Sequence, residues 1–293
     1  MSPSVVEADQ GPKAAREPAL ATREPSPQPA PEPELAAGLH GSATSRPGLT
    51  YRLLRGLWWF LARCLRIHMT IEGRENLPRD AAGRPSGRWI AAGMPHRTWI
   101  DPFVPWVLLP STPRLAFFGD ARTMARSPLR RWVVARLGSV IPIPAGRDPK
   151  VVAKHLEAAR EVLDAGAVFL LMPETGPASE QGSIRRLGSG TGYMALRNRA
   201  PIVPLIFGGN HELYFGRRIL MRVLPALDPM ELAGLAPKAP LPAQGSNEER
   251  EAVHRLTKAL AERVAPGVAE VHARAKSAEP GRKRGLFLTK LFR

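Results

Sequence analysis

Short apolar segments alternate with helical patterns along most of this 293-residue chain, and the alternation limits the folds open to it. The segments that predict strands are 69–72, 88–92, 115–119, 139–143, 167–172, 202–207 and 219–224. The stretches that predict helices are 102–109, 128–137, 148–165, 190–198 and 248–273. Strands separated by helices pack in layers around a common sheet. The pattern therefore predicts an α/β fold with a mixed, mostly parallel sheet flanked by helices.

Composition divides the chain into four regions. Residues 1–48 hold nine prolines and no aromatic residue, and they predict a disordered Pro-rich tail because they cannot bury enough apolar surface to offset the entropy of ordering. Residues 49–68 predict an amphipathic, membrane-associating helix, and residues 69–273 predict the folded domain. Residues 274–293 predict a basic amphipathic tail. The single cysteine, Cys64, excludes a disulfide framework.

The formal net charge of +16 indicates anionic partners. In residues 49–68 the arginines accompany tryptophan and leucine and have no acidic partners. Such a face suits the headgroup region of an anionic bilayer, so Trp58, Trp59, Arg52 and Arg55 are expected to contact the membrane. The alternative is an amphipathic helix packed against the folded domain. Since no uninterrupted apolar run reaches about 20 residues, a spanning helix is not expected.

The last segment, GRKRGLFLTKLFR at 281–293, interleaves basic residues with leucine and phenylalanine. This pattern predicts a second interfacial anchor, and a solvated basic tail is the alternative. Nucleic-acid binding is disfavoured because the basic residues lie in amphipathic stretches and no recognition motif accompanies them.

A histidine and an aspartate follow the second predicted strand, in the segment RWIAAGMPHRTWIDPF at 88–103. His96 and Asp101 are five positions apart, so they can meet only across a turn, and Pro95 and Pro102 bracket such a turn. Histidine is a general base near neutral pH, and a carboxylate on its other nitrogen fixes its tautomer. Because no serine or cysteine stands out as a nucleophile, the pair would activate a hydroxyl of the substrate.

Structural roles remain open for several of these polar residues. Asp101 could cap the helix that follows it, with His96 an ordinary residue of a surface loop. His211 and Glu212 follow a later strand, but their spacing is not that of the H-E-x-x-H zinc motif. We therefore expect His211 and Glu212 to have a structural role or to lie at the rim of the site.

Five segments, taken in order, resemble the glycerolipid acyltransferase family, which is best known for its 1-acylglycerol-3-phosphate acyltransferases. They are MTIEGRENLP at 69–78, PHRTWIDP at 95–102, the block 138–147, PET at 173–175 and IVPL at 202–205. The resemblance covers about residues 70–225 together with the preceding amphipathic helix. PHRTWIDP is similar to the catalytic motif of the family, and 138–147 is similar to its acceptor-phosphate block.

The resemblance implies transfer of a fatty acyl group from an acyl thioester to the free hydroxyl of a lysophospholipid, with 1-acylglycerol-3-phosphate giving phosphatidate. His96 would take the hydroxyl proton, and Asp101 would orient the imidazole. Pro204 would shape the acyl-chain side of the site. Glu174 would either position the acceptor or order its loop. The residues that the resemblance places on the acceptor and phosphate side are Arg147, Glu174, Thr175 and Gly176.

The resemblance also implies that no metal or bound cofactor takes part. Acyl-CoA or acyl carrier protein would be the co-substrate. The expected partners are this donor, the lysophospholipid and an anionic membrane surface. The expected location is peripheral, on the cytoplasmic side of the cell membrane.

The chain departs from the family at three places, one of which is the second block, where Arg147 lies a few residues later than the family's arginine. The third block of the family runs Pro-Glu-Gly-Thr-Arg, whereas here Pro173 and Glu174 precede Thr-Gly-Pro, and Pro95 stands where an asparagine is usual. The missing arginine requires that Arg185 or Arg186 replace it in space, or that the acceptor head group is not a simple phosphomonoester. Two alternatives stay open: an acyltransferase of the same fold acting on another lipid or glycolipid hydroxyl, and a non-catalytic peripheral lipid-binding protein.

Overall fold

A seven-stranded sheet forms the centre of the computed structural model, which describes residues 46–98, 101–120, 132, 136–137, 139–143, 149–175, 182–280 and 283–285. The strands are β1 (His68–Glu72), β2 (Trp89–Met94), β3 (Leu115–Asp120), β4 (Val140–Ile143), β5 (Val168–Leu171), β6 (Ile202–Gly208) and β7 (Arg218–Val223). The α-helices among these residues are α1 (Leu49–Cys64), α2 (Phe103–Leu108), α3 (Pro149–Asp164), α4 (Ser189–Asn198), α5 (Pro229–Leu232) and α6 (Asn247–Ser277).

The order of the strands across the sheet is β1-β7-β6-β2-β5-β3-β4. Neighbouring strands run parallel except for β6 and β7, which are antiparallel. The predicted α/β fold with a mixed, mostly parallel sheet is therefore confirmed. Each strand begins and ends within two residues of its predicted bounds. The short helix α5 was not expected from the sequence, and most of the predicted helix 128–137 lies outside the described residues.

The position of β2 decides where a site can form. It lies between β6 and β5, with Ala92 opposite Pro204 on one side and Leu171 on the other. Because the three strands are parallel, their carboxyl ends lie at the same edge of the sheet. The loops that follow β5, β2 and β6 therefore emerge side by side.

Alternate residues of the central strands enter two different cores, as expected for a sheet covered on both faces. On β2, Trp89 and Ala91 face the layer that contains α1 and α2. Ile90, Ala92 and Met94 face the layer of α3, α4 and α6. Both sides of β2 are fully covered, which explains why its sequence is a continuous apolar run.

The domain covers one side of α1. Tyr51 is buried, and Trp58 stacks on Phe103 of α2 with ring centroids 5.1 Å apart. The guanidinium of Arg55 donates to the carbonyls of Val107 and Leu109 at 2.7 and 2.5 Å, at the end of α2. Of the expected membrane contacts, Trp58 and Arg55 therefore pack against the domain and are only partly exposed.

The opposite side of α1 carries large apolar side chains that the domain leaves exposed. Five of them lie within ~120° of one another around the helix, given 3.6 residues per turn: Leu49, Leu53, Leu57, Phe60 and Leu61. Trp59 and Arg52, the other two expected membrane contacts, are exposed as well. The helix is thus apolar over a wider arc than its packing requires. No helix among the described residues has the length and hydropathy to span a bilayer.

The C-terminal helix α6 runs to Ser277, four residues beyond its predicted end at 273. The described part of the basic tail also packs on the domain. Lys283 bonds to the carboxylates of Glu212 and Glu279, each at 2.7 Å, and Arg284 accepts the backbone N–H of Phe215. The apolar residues of the predicted anchor at 286–293, and the predicted tail up to residue 45, lie outside the described residues.

Candidate active site

His96 and Asp101 meet in the loop that follows β2. The Nδ1 atom of His96 lies 3.0 Å from Oδ2 of Asp101. The carboxylate is completely buried, whereas 39% of the imidazole is exposed. A buried acid therefore holds a histidine that remains accessible at the carboxyl edge of the central strand.

The carboxylate of Asp101 is saturated with hydrogen bonds, as a buried charge must be. Its Oδ2 atom also accepts the backbone N–H groups of Arg97 and Thr98 at 2.5 and 2.7 Å. Its Oδ1 atom accepts from the Thr98 hydroxyl at 2.8 Å and from Nδ2 of Asn210 at 3.1 Å. No side chain caps the start of α2. The alternative that Asp101 is a helix cap is therefore wrong, because its carboxylate turns back toward the loop.

The Asp101 contact determines which nitrogen of His96 can act. An ionised carboxylate only accepts hydrogen bonds, so Nδ1 must carry the proton that points at Asp101. The Nε2 atom then has the free lone pair. The arrangement can accept a proton at Nε2 and stabilise the resulting imidazolium through Asp101.

Glu174 follows β5 and ties two loops together. Its Oε2 atom accepts the backbone N–H of His96 at 2.6 Å, and its Oε1 atom accepts the backbone N–H of Arg185 at 2.8 Å. Both oxygens therefore bind protein donors. Of the two roles considered for Glu174, the contacts favour ordering of the loop over direct contact with the acceptor.

The other expected acceptor residues have different placements. The hydroxyl of Thr175 donates to the carbonyl of Arg186 at 3.1 Å, so it also serves the loop. Arg147 and Gly176 lie outside the described residues. Pro204 is buried within β6, opposite Ala92 and four residues before the strand ends.

Sequence reasoning missed Asn210, which follows β6. Its side chain is buried, and Nδ2 donates to Asp101 and, at 3.0 Å, to the carbonyl of Pro95. The signal that could have revealed it is positional. Asn210 comes two residues after an apolar strand, just as His96 and Glu174 come two and three residues after theirs. Polar residues at the carboxyl ends of neighbouring parallel strands converge on one crevice.

A second cluster of charged side chains lies behind Asn210. Arg217 is only 1% exposed, and its Nη1 atom donates to Oε1 of Glu279 at 2.7 Å. Burial alone would raise the pKa of Glu279, but the hydrogen bonds from Lys283 and Arg217 outweigh it and lower the pKa to about 2. Burial, with Arg217 3.4 Å away, lowers the pKa of His211. His211 and Glu212 belong to this cluster, in agreement with the structural role expected for them.

Comparison with known proteins supports an acyltransferase. The family model described as Acyltransferase matches residues 68–208, a span that includes His96, Asp101 and Glu174 and ends two residues before Asn210. The 1-acyl-sn-glycerophosphate (LPA) acyltransferase PlsC from Thermotoga maritima has a similar fold, with a TM-score of 0.53 and 19% sequence identity. That match covers 79% of this chain and 81% of the other. The chain therefore carries an acyltransferase domain at residues 68–208, and both matches support the glycerolipid acyltransferase family that the motifs resemble and an O-acyltransferase activity.

Proposed function

We propose that the protein transfers a fatty acyl group from acyl-CoA or acyl carrier protein to the free hydroxyl of 1-acylglycerol-3-phosphate, which gives phosphatidate. The observation that carries this proposal is the pairing of a half-exposed His96 with the buried carboxylate of Asp101, 3.0 Å away. The pair suits deprotonation of an alcohol by a general base.

The reaction needs one proton relay through His96. Nε2 takes the proton of the acceptor hydroxyl while the oxygen attacks the carbonyl carbon of the thioester. The carbon–sulfur bond then breaks, and the imidazolium returns its proton to the departing thiolate. Asp101 stabilises the imidazolium between these two transfers. The proposed reaction forms no acyl-enzyme.

Arginines close to the Glu174 loop are proposed to bind the acceptor phosphate. The backbone N–H of Arg185 bonds to the same carboxylate that holds His96, and Arg186 is exposed beside it. A guanidinium matches the geometry of a phosphate. Arg185 and Arg186 would therefore supply the charge that the third block lacks, together with Arg147.

We also propose that α1 holds the protein at an anionic membrane on the cytoplasmic side. The exposed face of Leu53, Leu57, Phe60 and Leu61 supports this proposal, as does the exposed Trp59 beside Arg63, whose guanidinium lies 5.9 Å from the ring centroid. Tryptophan, leucine and arginine in this arrangement suit the interface of a bilayer. The substrates of the proposed reaction are themselves amphiphiles found at such an interface.

An acyl-transfer assay with purified protein tests the reaction. It uses acyl-CoA and acyl carrier protein as donors, and a panel of lysophospholipid and non-phosphorylated acceptors. We expect turnover with lysophosphatidate in the wild type and its loss in His96→Gln, with circular dichroism unchanged. His254→Gln, an exposed change on α6, is the matched control. Equal turnover in His96→Gln and the wild type would exclude His96 as the base.

A second candidate function is acylation of another lipid or glycolipid hydroxyl. The observation that favours it is the third block, in which proline follows Thr-Gly in place of the family's arginine. This candidate predicts turnover on acceptors without a phosphate group. Activity on those acceptors alone would replace the preferred reaction.

A further inference from the structure

We propose that Asn210 is a positioning residue that holds Pro95 and Asp101 at a fixed distance, so that Asp101 keeps His96 in its reactive orientation. The kinetic part of this inference rests on the proposed acyl transfer. The structural part rests on the hydrogen bonds of one side-chain amide, which reaches both ends of the loop that carries the histidine.

The amide of Asn210 bridges the loop. Nδ2 donates to the carbonyl of Pro95, immediately before His96, at 3.0 Å and to Oδ1 of Asp101 at 3.1 Å. Both partners are acceptors, so the nitrogen of the amide, and not its oxygen, must face them. One NH₂ group thus fixes the distance between the residue that precedes the imidazole and the acid that orients it.

The other hydrogen bonds to Asp101 come from the loop itself. They arise from His96, Arg97 and Thr98, which move together with the carboxylate if the loop moves. Among the described residues, Asn210 supplies the hydrogen bond to the carboxylate of Asp101 that originates outside this loop. It therefore anchors the loop to the sheet, at the end of the neighbouring strand β6.

The turn that carries Asn210 is built for close packing. Gly209 has φ of +80°, and a Cβ there would lie 2.3 Å from the carbonyl oxygen of Arg218. A Cβ on Gly208 would lie 2.9 Å from the carbonyl oxygen of Val271 on α6. Neither position accepts a larger residue without displacement of backbone. The turn is thus confined between β7 and α6.

The side chain of Arg217 bonds to this turn through the backbone of Gly209. Its Nε atom donates to the carbonyl of Gly209 at 2.5 Å, while Nη1 donates to Glu279 and to the hydroxyl of Tyr214, each at 2.7 Å. A buried guanidinium bound to three fixed acceptors leaves the Gly209 peptide little freedom. The charged cluster therefore supports Asn210, and Asn210 in turn supports Asp101.

Two substitutions test the proposal, and Asn76→Asp is the matched control. Asn210→Asp retains the size of the side chain but places a second carboxylate against Asp101, and Asn210→Ala removes both donors. Asn76 donates through the same atom to the carbonyl of Val223 at 2.9 Å, in the 3₁₀ turn after β1. We expect kcat to fall about 10²-fold in both Asn210 variants, the cost of a small misplacement of a catalytic group, with KM changed less than threefold. The control should retain the wild-type kcat.

Proton NMR supplies a readout that needs no substrate. The Nδ1 proton shared between His96 and Asp101 should give a downfield resonance in the wild type and in Asn76→Asp, assigned by its loss in His96→Gln. We expect this resonance to shift or broaden in both Asn210 variants, while circular dichroism reports an intact fold. A wild type without acyl transfer to any acceptor would refute the proposed function and leave this measurement valid.

Two outcomes would overturn the role of Asn210. One is an unchanged resonance together with an unchanged kcat in Asn210→Asp and Asn210→Ala. The other is a loss of kcat in Asn76→Asp as large as in Asn210→Asp, since this would trace the effect to general destabilisation. If Asn210→Asp does not fold, Asn210→Ala decides between the same outcomes.

Discussion

The carboxylate of Glu174 accepts the backbone N–H of His96 at 2.6 Å, although 78 residues separate them in the chain. Its other oxygen accepts the backbone N–H of Arg185 at 2.8 Å. The central strand β2 thus carries the histidine, β5 supplies a carboxylate on one side of it, and β6 supplies the Asn210 amide on the other. This order of strands makes the site a product of three adjacent loops.

Replacement of Glu174 by glutamine should lower kcat by about 10–100-fold. A glutamine side chain has one acceptor oxygen, so it must turn an NH₂ group toward one of the two backbone donors. Hydrogen bonds to a charged group contribute about 1.5–3 kcal/mol each, which sets this range. Steady-state kinetics with saturating acceptor checks the result, with Glu157→Gln on the exposed side of α3 as control. A wild-type kcat in Glu174→Gln would exclude the loop-ordering role.

Replacement of Asp101 by asparagine should lower kcat by roughly 10³-fold or more, because an amide at this position no longer stabilises the imidazolium and disturbs the tautomer of His96. The variant should also unfold at a lower urea concentration, since its NH₂ group must face donors such as the Thr98 N–H. Kinetics and urea titration measure the two effects separately. Full activity in a stable Asp101→Asn protein would contradict the proposed role of the pair.

Replacement of Arg186 by alanine should raise KM for lysophosphatidate by about 10-fold or more and leave kcat within a few-fold, as expected for the loss of one charge-assisted contact. Acceptors without a phosphate should show no such change. Arg250→Ala, an exposed change on α6, is the control. If KM is unaltered in both Arg185→Ala and Arg186→Ala, the acceptor phosphate binds elsewhere.

The ion pairs of Glu279 predict a pH dependence of stability. The folded protein lowers the pKa of this carboxyl from 4.5 to about 2, so the folded state binds its proton more weakly than the unfolded chain does. The contribution of these ion pairs to the stability of the fold is complete above about pH 4.5 and is lost as the pH falls toward about 2. In urea titrations at pH 7, Glu279→Gln should have a lower midpoint of unfolding than the wild type. The difference between the two midpoints should be smaller at pH 3.

Glu262→Gln controls for the general effect of removing a carboxylate. Glu262 is exposed on α6, and its nearest cation, Lys258, is 4.0 Å away. The urea midpoint of Glu262→Gln should therefore be close to that of the wild type at both pH values. If the difference in urea midpoint between Glu279→Gln and the wild type is the same at pH 7 and pH 3, the ion pairs of Glu279 do not stabilise the fold.

Charges introduced on the exposed face of α1 should release the protein from membranes. Leu57→Glu combined with Phe60→Glu places two carboxylates on the face that we propose enters the bilayer interface. Flotation with vesicles of anionic phospholipid should recover the wild type and lose this variant. Ala265→Glu with Ala269→Glu, exposed on α6, should float as the wild type does. Equal flotation of both variants would exclude the face as the membrane contact.

Much of the fold could be predicted because the patterns that encode it are local. A strand with both faces covered is continuously apolar, as in β2, and a helix such as α3 is followed by a glycine with positive φ, here Gly166 at +75°. The pairing of His96 with Asp101 also depends on neighbours in the chain, since two prolines bracket the turn that joins them. In such cases backbone sterics and side-chain spacing over a few residues are sufficient.

The sequence by itself determined the α/β alternation, the resemblance to an acyltransferase family and the loop that holds His96 and Asp101. Only the tertiary structure decided that Asn210 and Glu174 flank this loop, that Arg217, paired with Glu279, bonds to the turn before Asn210, and that Arg55 and Trp58 face the domain. The physical reason is the range of the interactions. Hydropathy shows that a side chain prefers to leave water but not which surface will cover it, and partners many residues apart meet only through the order of the strands in the sheet.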